Sequence, residues 1–471
     1  GFEAFIGGVK ESFGIESVFC WHSICGYWGG VSDTSASTEK YHSKVTKWDL
    51  AESIVHAQPS LSIDPLSQNG VGVIPPDQIS LFYDDLHAYL AACGVSGVKV
   101  DVQSCVGPLG PSFGISSTEM TRAYHRALEA SIEKYFDSNC ISCMCHSSEN
   151  LMSLHRTPIC RVSDDFYPEE DASHGAHVMS VAYNSVFLGE LAIPDYDMFW
   201  SSHEHGALHA ACRVVGGCPI YVSDIPGKHN FQLLRSLILS DGFILRAKLP
   251  GRPTRDCLFK NVIGDGETVL KIWNWNEMGG LLGCFNVQGA EWSRSKEKFV
   301  ERSGSAQKEL TYSVSPRDAE LFDGSKFAMY SYRKKQVWVV AEESMKFSLE
   351  WMDFDIYWIM PLFECSCISL APLGLDDMMN GAGAVTSVTT NATTESDGKT
   401  TVTAVVQILP SLHERWFSLY CNASPTQCYT TCEGTFPRQM PASHERDGNL
   451  CKVLLAPEAD RVVLHWRSLT D

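Results

Sequence analysis

From residue 18 to about residue 240, short apolar runs alternate with stretches of helical periodicity, and no other feature constrains the fold as strongly. The runs are Val18–His22, Val98–Asp101, Ile141–Cys145, Ile159–Val162 and Cys218–Val222, with Leu191–Ile193 and the following Pro194-Asp195-Tyr196-Asp197 as another. Ser116 and Glu119 have capping-box spacing, after which Tyr124, Leu128, Ile132 and Tyr135 recur on one face. Asp84–Leu90, Val181–Gly189 and about Ala207–Gly216, which contains Arg213, also read as helical. Strand–helix alternation predicts a parallel α/β fold. Six such repeats can be counted, where a closed β/α barrel has eight. The polar, Pro/Gly-rich stretch Ser35–Pro76 separates the first two runs and reads as an excursion over a barrel mouth.

After about residue 245 the pattern changes. Val269–Trp275, Gln336–Ala341, Thr400–Val406 and Arg461–Trp466 are alternating or aromatic-rich and predict antiparallel strands of a β-sandwich. Asp397-Gly398 supplies a hairpin turn, and residues 376–398 read as an exposed Gly/Ala/Thr-rich loop. The expected domains are an α/β domain over 1–245 and an antiparallel β domain over 246–471. A length of 471 residues accommodates both.

A formal charge of −19, with no long basic run, argues against nucleic acid or an anionic membrane as partner. No apolar run is long enough to span a bilayer. The chain opens at Gly1 inside what reads as an amphipathic helix, so a longer natural N-terminus is expected and no targeting signal can be read. Many of the 18 cysteines sit in apolar runs, as packed free thiols of a reducing compartment do. The expected location is the cytoplasm, with a plastid as the alternative.

Chemistry is expected where charge interrupts these runs. A parallel strand buried on both faces has no low-cost place for Lys99 or Asp101. The carboxyl end of the strand does, and there β/α barrels build their active sites. Asp101 is therefore a catalytic candidate, beside the plainer reading of a structural Lys–Asp pair. Trp21–Gly30, Cys143–His146, Arg161–Phe166, Asp195–Phe199 and Ser223-Asp224 stand at other predicted strand ends. Carboxylates and aromatic rings at one mouth suggest a sugar. Glycoside cleavage with retention uses two carboxyl groups roughly 5–5.5 Å apart; Asp101 and one of Asp164 and Asp165, two repeats later, can supply them.

Other patterns are weaker. His203-Glu204-His205 with His209 lacks the HExxH order and reads as a polar helix face. Cys143, Cys145 and His146 could bind zinc, against the expected reading of a buried strand end. No P-loop occurs, and Gly381-Ala382-Gly383 does not follow a βα pattern, so no nucleotide cofactor and no metal are expected.

At these residues the sequence resembles the raffinose synthase / alkaline α-galactosidase (seed imbibition protein) family, in the α-galactosidase clan of retaining glycosidases. The matching runs include Trp21-His22 with Gly26–Gly30, Gly97–Gln103, Arg161–Pro168, Val181–Glu190, Pro194–Phe199, Gly217–Asp224 and Leu249–Phe259, dense over residues 15 to about 295. The resemblance implies a (β/α)8 TIM-type barrel followed by an antiparallel β-sandwich, no cofactor, and small-molecule sugars as partners: raffinose-family oligosaccharides, galactinol and sucrose. It implies Asp101 as the nucleophile and Asp165 as the acid/base, with Asp164 as runner-up. Lys99 and Arg161 would bind sugar hydroxyls, and Trp28, Cys143, Asp195 and Asp197 would line the galactose or acceptor site.

Two departures bear on these implications. The family's Gly-Trp-Cys-Thr-Trp-Asp and Asp-Asp-Gly-Trp-Gln strands are absent, which with the count of six implies that the chain carries barrel strands 3 to 8. Ser147-Ser148-Glu149 stands where the family often has Asn-Thr-Asp, and Tyr196 where Trp is usual. The forms around Asp101 and Arg161 are closer to the hydrolase branch. The expected activity is thus a retaining α-galactosidase acting by double displacement. The alternatives are a galactinol–sucrose galactosyltransferase making raffinose and, in another class, a non-catalytic carbohydrate-binding fragment.

Overall fold

A computed structural model of the chain describes residues 1–302, 308–320, 324–396, 399–445 and 449–467. The Asp397-Gly398 turn expected from the sequence lies outside the described residues. The chain divides into two compact units: Gly1–Val162 with Glu190–Asp195, and Ser163–Gly189 with Tyr196–Asp471.

In the first unit, strands β1 (Phe19–Ser23), β2 (Gly97–Asp101), β3 (Cys140–Ser142), β4 (Ile159–Arg161) and β5 (Ile193–Asp195) pair in parallel, in that order. Strands neighbouring in the chain are neighbours in the sheet, as in the wall of a β/α barrel. Along β2, Val98 and Val100 are fully buried while Lys99 and Asp101 are half-buried. Residues two apart share a face, so the two charged side chains stand on the same side of the sheet. The register sets Trp21 beside Lys99 and Ser23 beside Asp101, and Arg161 beside Asp195.

Helices α1 (Phe2–Phe13), α2 (Ile79–Ala92) and α3 (Ser117–Phe136) belong to the same unit. The capping box at the start of α3 forms as expected: Ser116 Oγ accepts from Glu119 N at 3.2 Å, and Glu119 Oε2 accepts from Ser116 N at 2.9 Å. Tyr124, Leu128 and Ile132 are buried, and the next buried position is Phe136 rather than Tyr135. Tyr135 turns its hydroxyl to Asp84 at 2.9 Å instead. Two buried tyrosines satisfy their hydroxyls on backbone carbonyls, Tyr83 on Ile24 and Tyr124 on Ile74, each at 2.6 Å. The Ser35–Pro76 excursion contains a short antiparallel pair, Lys44–Thr46 with Val71–Val73. Trp48 of the excursion donates to the Cys105 carbonyl at 3.0 Å, just past the end of β2.

The second unit opens with helices α4 (Asp171–Leu188) and α5 (Gly206–Gly216). Five of the six apolar runs form the parallel ladder. The sixth, Cys218–Val222, makes only one parallel bridge, Val222 with Phe199. Pro219 in its middle has no N–H to give a ladder.

The remainder is antiparallel. A six-stranded sheet sets β6 (Leu270–Trp275) beside β7 (Gly280–Phe285), and β7 and Phe354–Pro361 form its centre. Two five-stranded sheets then share one core, Leu370, Phe417, Leu419 and Val453 from one against Val402, Val406, Val462 and Trp466 from the other. That is the expected sandwich. The loop expected over 376–398 is corrected over part of its length: Val385–Thr394 is a strand paired with Thr400–Ile408. Its β-branched Val and Thr residues suit a pleated surface, which outweighs the small residues before it. Among the described residues, no helix is long and apolar enough to cross a membrane.

Candidate active site

In the first unit, the carboxyl ends of β1, β2 and β3 meet around Asp101. Trp21 Nε1 donates to Asp101 Oδ2 at 3.1 Å, and Val102 N donates to Oδ1 at 2.7 Å. Val102 has φ 58°, which a β-branched residue rarely adopts. Such a backbone costs on the order of 1–3 kcal/mol and persists only where its surroundings impose it. Here the Asp101 carbonyl is held by Ile24 N at 2.8 Å, and the Val100 carbonyl by Cys143 N at 2.8 Å. The Cys143 thiol stands near the Asp101 side chain. Burial first, with the Asp101 charge also against ionisation, pushes that thiol up to about 12, so Cys143 stays protonated.

An aromatic wall flanks this carboxylate. The Trp21 ring lies 5.5 Å from Trp28 and 5.8 Å from Tyr27, edge-on to the latter. Trp28 is 46% exposed and Tyr27 65% exposed, so both offer free ring faces. Their loop is fixed by close backbone approach: a Cβ on Gly30 would lie 2.1 Å from the Gly72 carbonyl. Only glycine permits that contact, and it ties the Trp28 loop to the Val71–Val73 strand of the excursion. Further along the sheet, Arg161 and Asp195 stand side by side on β4 and β5, both buried.

The remaining candidates lie in the second unit. Asp164 and Asp165 are both exposed. Asp165 N donates to Asp164 Oδ1 at 2.9 Å, which turns Asp164 toward the backbone. Phe166 N donates to Asp197 Oδ2 at 3.1 Å, so the Asp197 carboxylate orders the loop that carries Asp165. A cavity of about 270 Å³ is lined by Asp164, Asp165, Tyr167, His177, Trp292 and Phe299, among others. Trp292 and Phe299 face each other edge-on at 5.3 Å across the hairpin Ala290–Ser293 and Lys298–Glu301. Carboxylates and aromatic faces again share one wall.

Behind this loop sits Arg213 of α5, fully buried. Its Nε donates to the Asp197 carbonyl at 3.0 Å, and NH2 to the Tyr196 carbonyl at 2.7 Å and again to Asp197 at 2.9 Å. The guanidinium lies 4.6 Å from the Phe199 ring. Asp197 itself has φ 61°. Arg213 thereby holds a left-handed turn whose carboxylate holds the next loop. Asp224 is likewise committed: it accepts from Ser201 N at 2.6 Å and faces His229 Nδ1 at 3.1 Å.

Trp21, Arg213, Trp292 and Phe299 were not singled out as site residues by sequence. Trp21 could have been, since parallel pairing sets alternate residues of β1 beside Lys99. The other three carry no local signal. His209 corrects the expected polar helix face. It is buried, and its Nε2 meets His174 Nδ1 at 2.8 Å. Burial first, and the Arg213 charge second, hold it well below the usual histidine range. Among the described residues, the only His/Cys/Asp/Glu trio whose ligand atoms converge is Cys145, His146 and Cys160.

Residues 1–437 match the family model described as "Raffinose synthase or seed imbibition protein Sip1". The chain is 41% identical over 392 residues to "Probable galactinol--sucrose galactosyltransferase 1" of Arabidopsis thaliana, covering 81% of this chain and 52% of that protein. It is 36% identical over 411 residues to the galactinol–sucrose galactosyltransferase of Pisum sativum, covering 82% and 51%. The chain thus spans about half the length of the curated relatives it matches. The solved structure of α-galactosidase I from Mortierella vinacea overlays 62% of this chain and 73% of that one, with a TM-score of 0.39 and 12% identity.

Proposed function

Since the chain belongs to the raffinose synthase or seed imbibition protein family, we propose that this protein processes α-galactosides by a retaining double displacement. Asp101 attacks the anomeric carbon, and the bond to the leaving oxygen breaks as Asp165 gives that oxygen its proton. Water or a sugar hydroxyl then attacks the anomeric carbon of the galactosyl-enzyme, the bond to Asp101 breaks and returns its carboxylate, and Asp165 takes the incoming proton. The observation that carries the reading is the setting of Asp101. Two donors (Trp21 and the Val102 amide) fix its carboxylate beside exposed Trp28 and Tyr27. A purely structural Lys–Asp pair needs neither the strained Val102 nor the free ring faces.

Lys99, on the same face as Asp101, and buried Arg161 and Asp195 would bind galactose hydroxyls. Trp292 and Phe299, which line the same cavity as Asp165, would stack against a sugar ring held there. The first reading takes water as acceptor, giving an α-galactosidase. The names of the curated relatives favour sucrose as acceptor and galactinol as donor, which is the second reading. The family match and these names do not favour a non-catalytic carbohydrate-binding role.

The test is product analysis of the full-length protein with galactinol plus sucrose. Galactose release faster than raffinose formation supports the hydrolase, and the reverse overturns it in favour of transfer. Asp101→Asn is expected to lower either rate by at least about 10⁴-fold with unchanged circular dichroism. Undiminished turnover in that variant would sink the mechanism.

A further inference from the structure

The strand ends of the first unit hold a second cluster that the galactosyl chemistry leaves unused. Cys145 and His146 follow β3, and Cys160 is the middle residue of β4. The sulfurs of Cys145 and Cys160 are 3.2 Å apart, and His146 Nε2 is 3.8 Å from Cys160 Sγ. All three ligand atoms lie within 4.8 Å of one another. The thiols are buried, while the imidazole is exposed.

The local backbone explains the grouping. In an unbroken strand, residues 143 and 145 would share a face. Met144 has φ 47°, which breaks the alternation. Cys143 then stands near Asp101, and Cys145 meets Cys160 instead. The zinc trio weighed from the sequence, Cys143, Cys145 and His146, therefore exchanges one member for a cysteine of the neighbouring strand.

We propose that Cys145, His146 and Cys160 form a binding site for one thiophilic divalent cation of the zinc class, with its remaining position open to solvent. Two thiolates and an imidazole are the donor set that soft and borderline ions select over magnesium or calcium. Two thiolates also neutralise a divalent ion, which limits the cost of holding charge among buried atoms. Bond lengths of about 2.0–2.3 Å put tetrahedral ligand atoms about 3.5–3.8 Å apart. The sulfurs need to part by only about half an ångström from their 3.2 Å separation. His146 Nε2 now contacts the Arg161 carbonyl. On binding, its lone pair turns to the ion, its proton moves to Nδ1, and the two thiol protons leave to solvent. The exposed His146 gives the ion its way in. A simple disulfide pair would need no third donor at that mouth.

The site is independent of the galactosyl-transfer reading and is tested by metal uptake. The reduced, chelator-stripped protein is titrated with Zn²⁺ by calorimetry, and with Cd²⁺ by near-ultraviolet thiolate absorption. One equivalent is expected to bind, with cadmium absorption of two thiolates. Cys160→Ser is expected to abolish the cadmium band. His146→Ala, at an exposed position, keeps the fold and is expected to weaken zinc by roughly tenfold or more. Cys367→Ser, an exposed cysteine elsewhere, should leave both titrations unchanged. No uptake by the parent protein, or uptake indifferent to both His146→Ala and Cys160→Ser, overturns the proposal.

Discussion

Asp101 and Asp165 are held in opposite ways. Asp101 stands at the end of a strand, with both carboxylate oxygens engaged by donors of its own sheet and the turn beyond it. Asp165 stands on an exposed loop that is tied down through backbone amides. Its own amide is tied to Asp164, and the next amide to Asp197. The difference matches what the two proposed roles require. A nucleophile must be fixed to a fraction of an ångström and must not wander between oxygens. An acid/base must exchange a proton with solvent or acceptor in each half-reaction, so access matters more than rigidity.

The sharpest way to break this contrast is Asp165→Ala. With galactinol, whose leaving group needs a proton, turnover is expected to fall by about 10³-fold. With an aryl α-galactoside bearing an acidic phenol, the first step needs little proton donation, and the loss should be far smaller. Steady-state rates on the two substrates measure the split. Equal losses on both would take the acid/base role away from Asp165 and return attention to Asp164.

The next largest effect concerns what stands behind the loop. Arg213→Met removes the donors that Tyr196 and Asp197 carbonyls rely on, in a fully buried place. Leaving such groups unsatisfied costs about 3 kcal/mol, read as a lower urea midpoint of the second unit. Asp197 would lose its left-handed turn with it, so the Asp165 loop should also loosen. A variant of unchanged stability would show that the Asp165 loop is not braced from behind.

The same contrast separates what the sequence reveals from what it hides. Asp101 was legible because a carboxylate in a β-branched run has only one low-cost place, the strand end. The helix from Ser116 was legible because capping and periodicity are local. Arg213 was not. Its helix face says only that it is amphipathic, and the carbonyls it serves belong to a turn with no periodicity of its own. The Trp292–Phe299 hairpin is similarly silent, since an alternating aromatic pair does not say which loop it will face. Pro219 was visible, but the apolar run around it outweighed the missing N–H in the count of strands. Cys160 escaped the zinc reading because pairing between β3 and β4, with Met144 breaking the alternation, decides which thiols meet.

Beneath Asp101, a buried polar chain makes the first unit sensitive to acid. His22 Nε2 meets His87 Nε2 at 3.1 Å, and His87 Nδ1 meets Ser131 Oγ at 2.8 Å. With both rings neutral, His22 Nδ1 donates to the Ser23 carbonyl, His87 Nε2 donates to His22, and Ser131 gives its one proton to His87 Nδ1 rather than to the Tyr83 carbonyl 3.0 Å away. Burial holds His22 down at about 4; burial and the neighbouring His22 hold His87 down at about 3. In the unfolded chain both titrate near about 6.5. Between those values the unfolded state binds more protons, so stability rises with pH there. It is complete above about 6.5 and is lost as pH falls toward about 4, on the order of 2 kcal/mol per histidine. Urea midpoints at about pH 7.5 and about pH 4.5 measure the loss. His87→Phe should shrink the difference, and a midpoint that ignores pH would show these rings to be charged in the fold.

The smallest effect isolates a single bond at the better-held carboxylate. Trp21→Phe removes the Nε1 donor to Asp101 Oδ2 while keeping an aromatic ring against Trp28. One hydrogen bond to a carboxylate is worth about 1–2 kcal/mol, so kcat should fall by about tenfold with little change in stability. KM should move less than kcat, because the bond positions the attacking oxygen rather than gripping the sugar. If Asp101 were instead a structural partner of Lys99, the loss would appear in the urea midpoint and leave turnover alone. A fall in kcat alone shows that the indole positions a reacting group, and the fixed half of the contrast then rests on one identified donor.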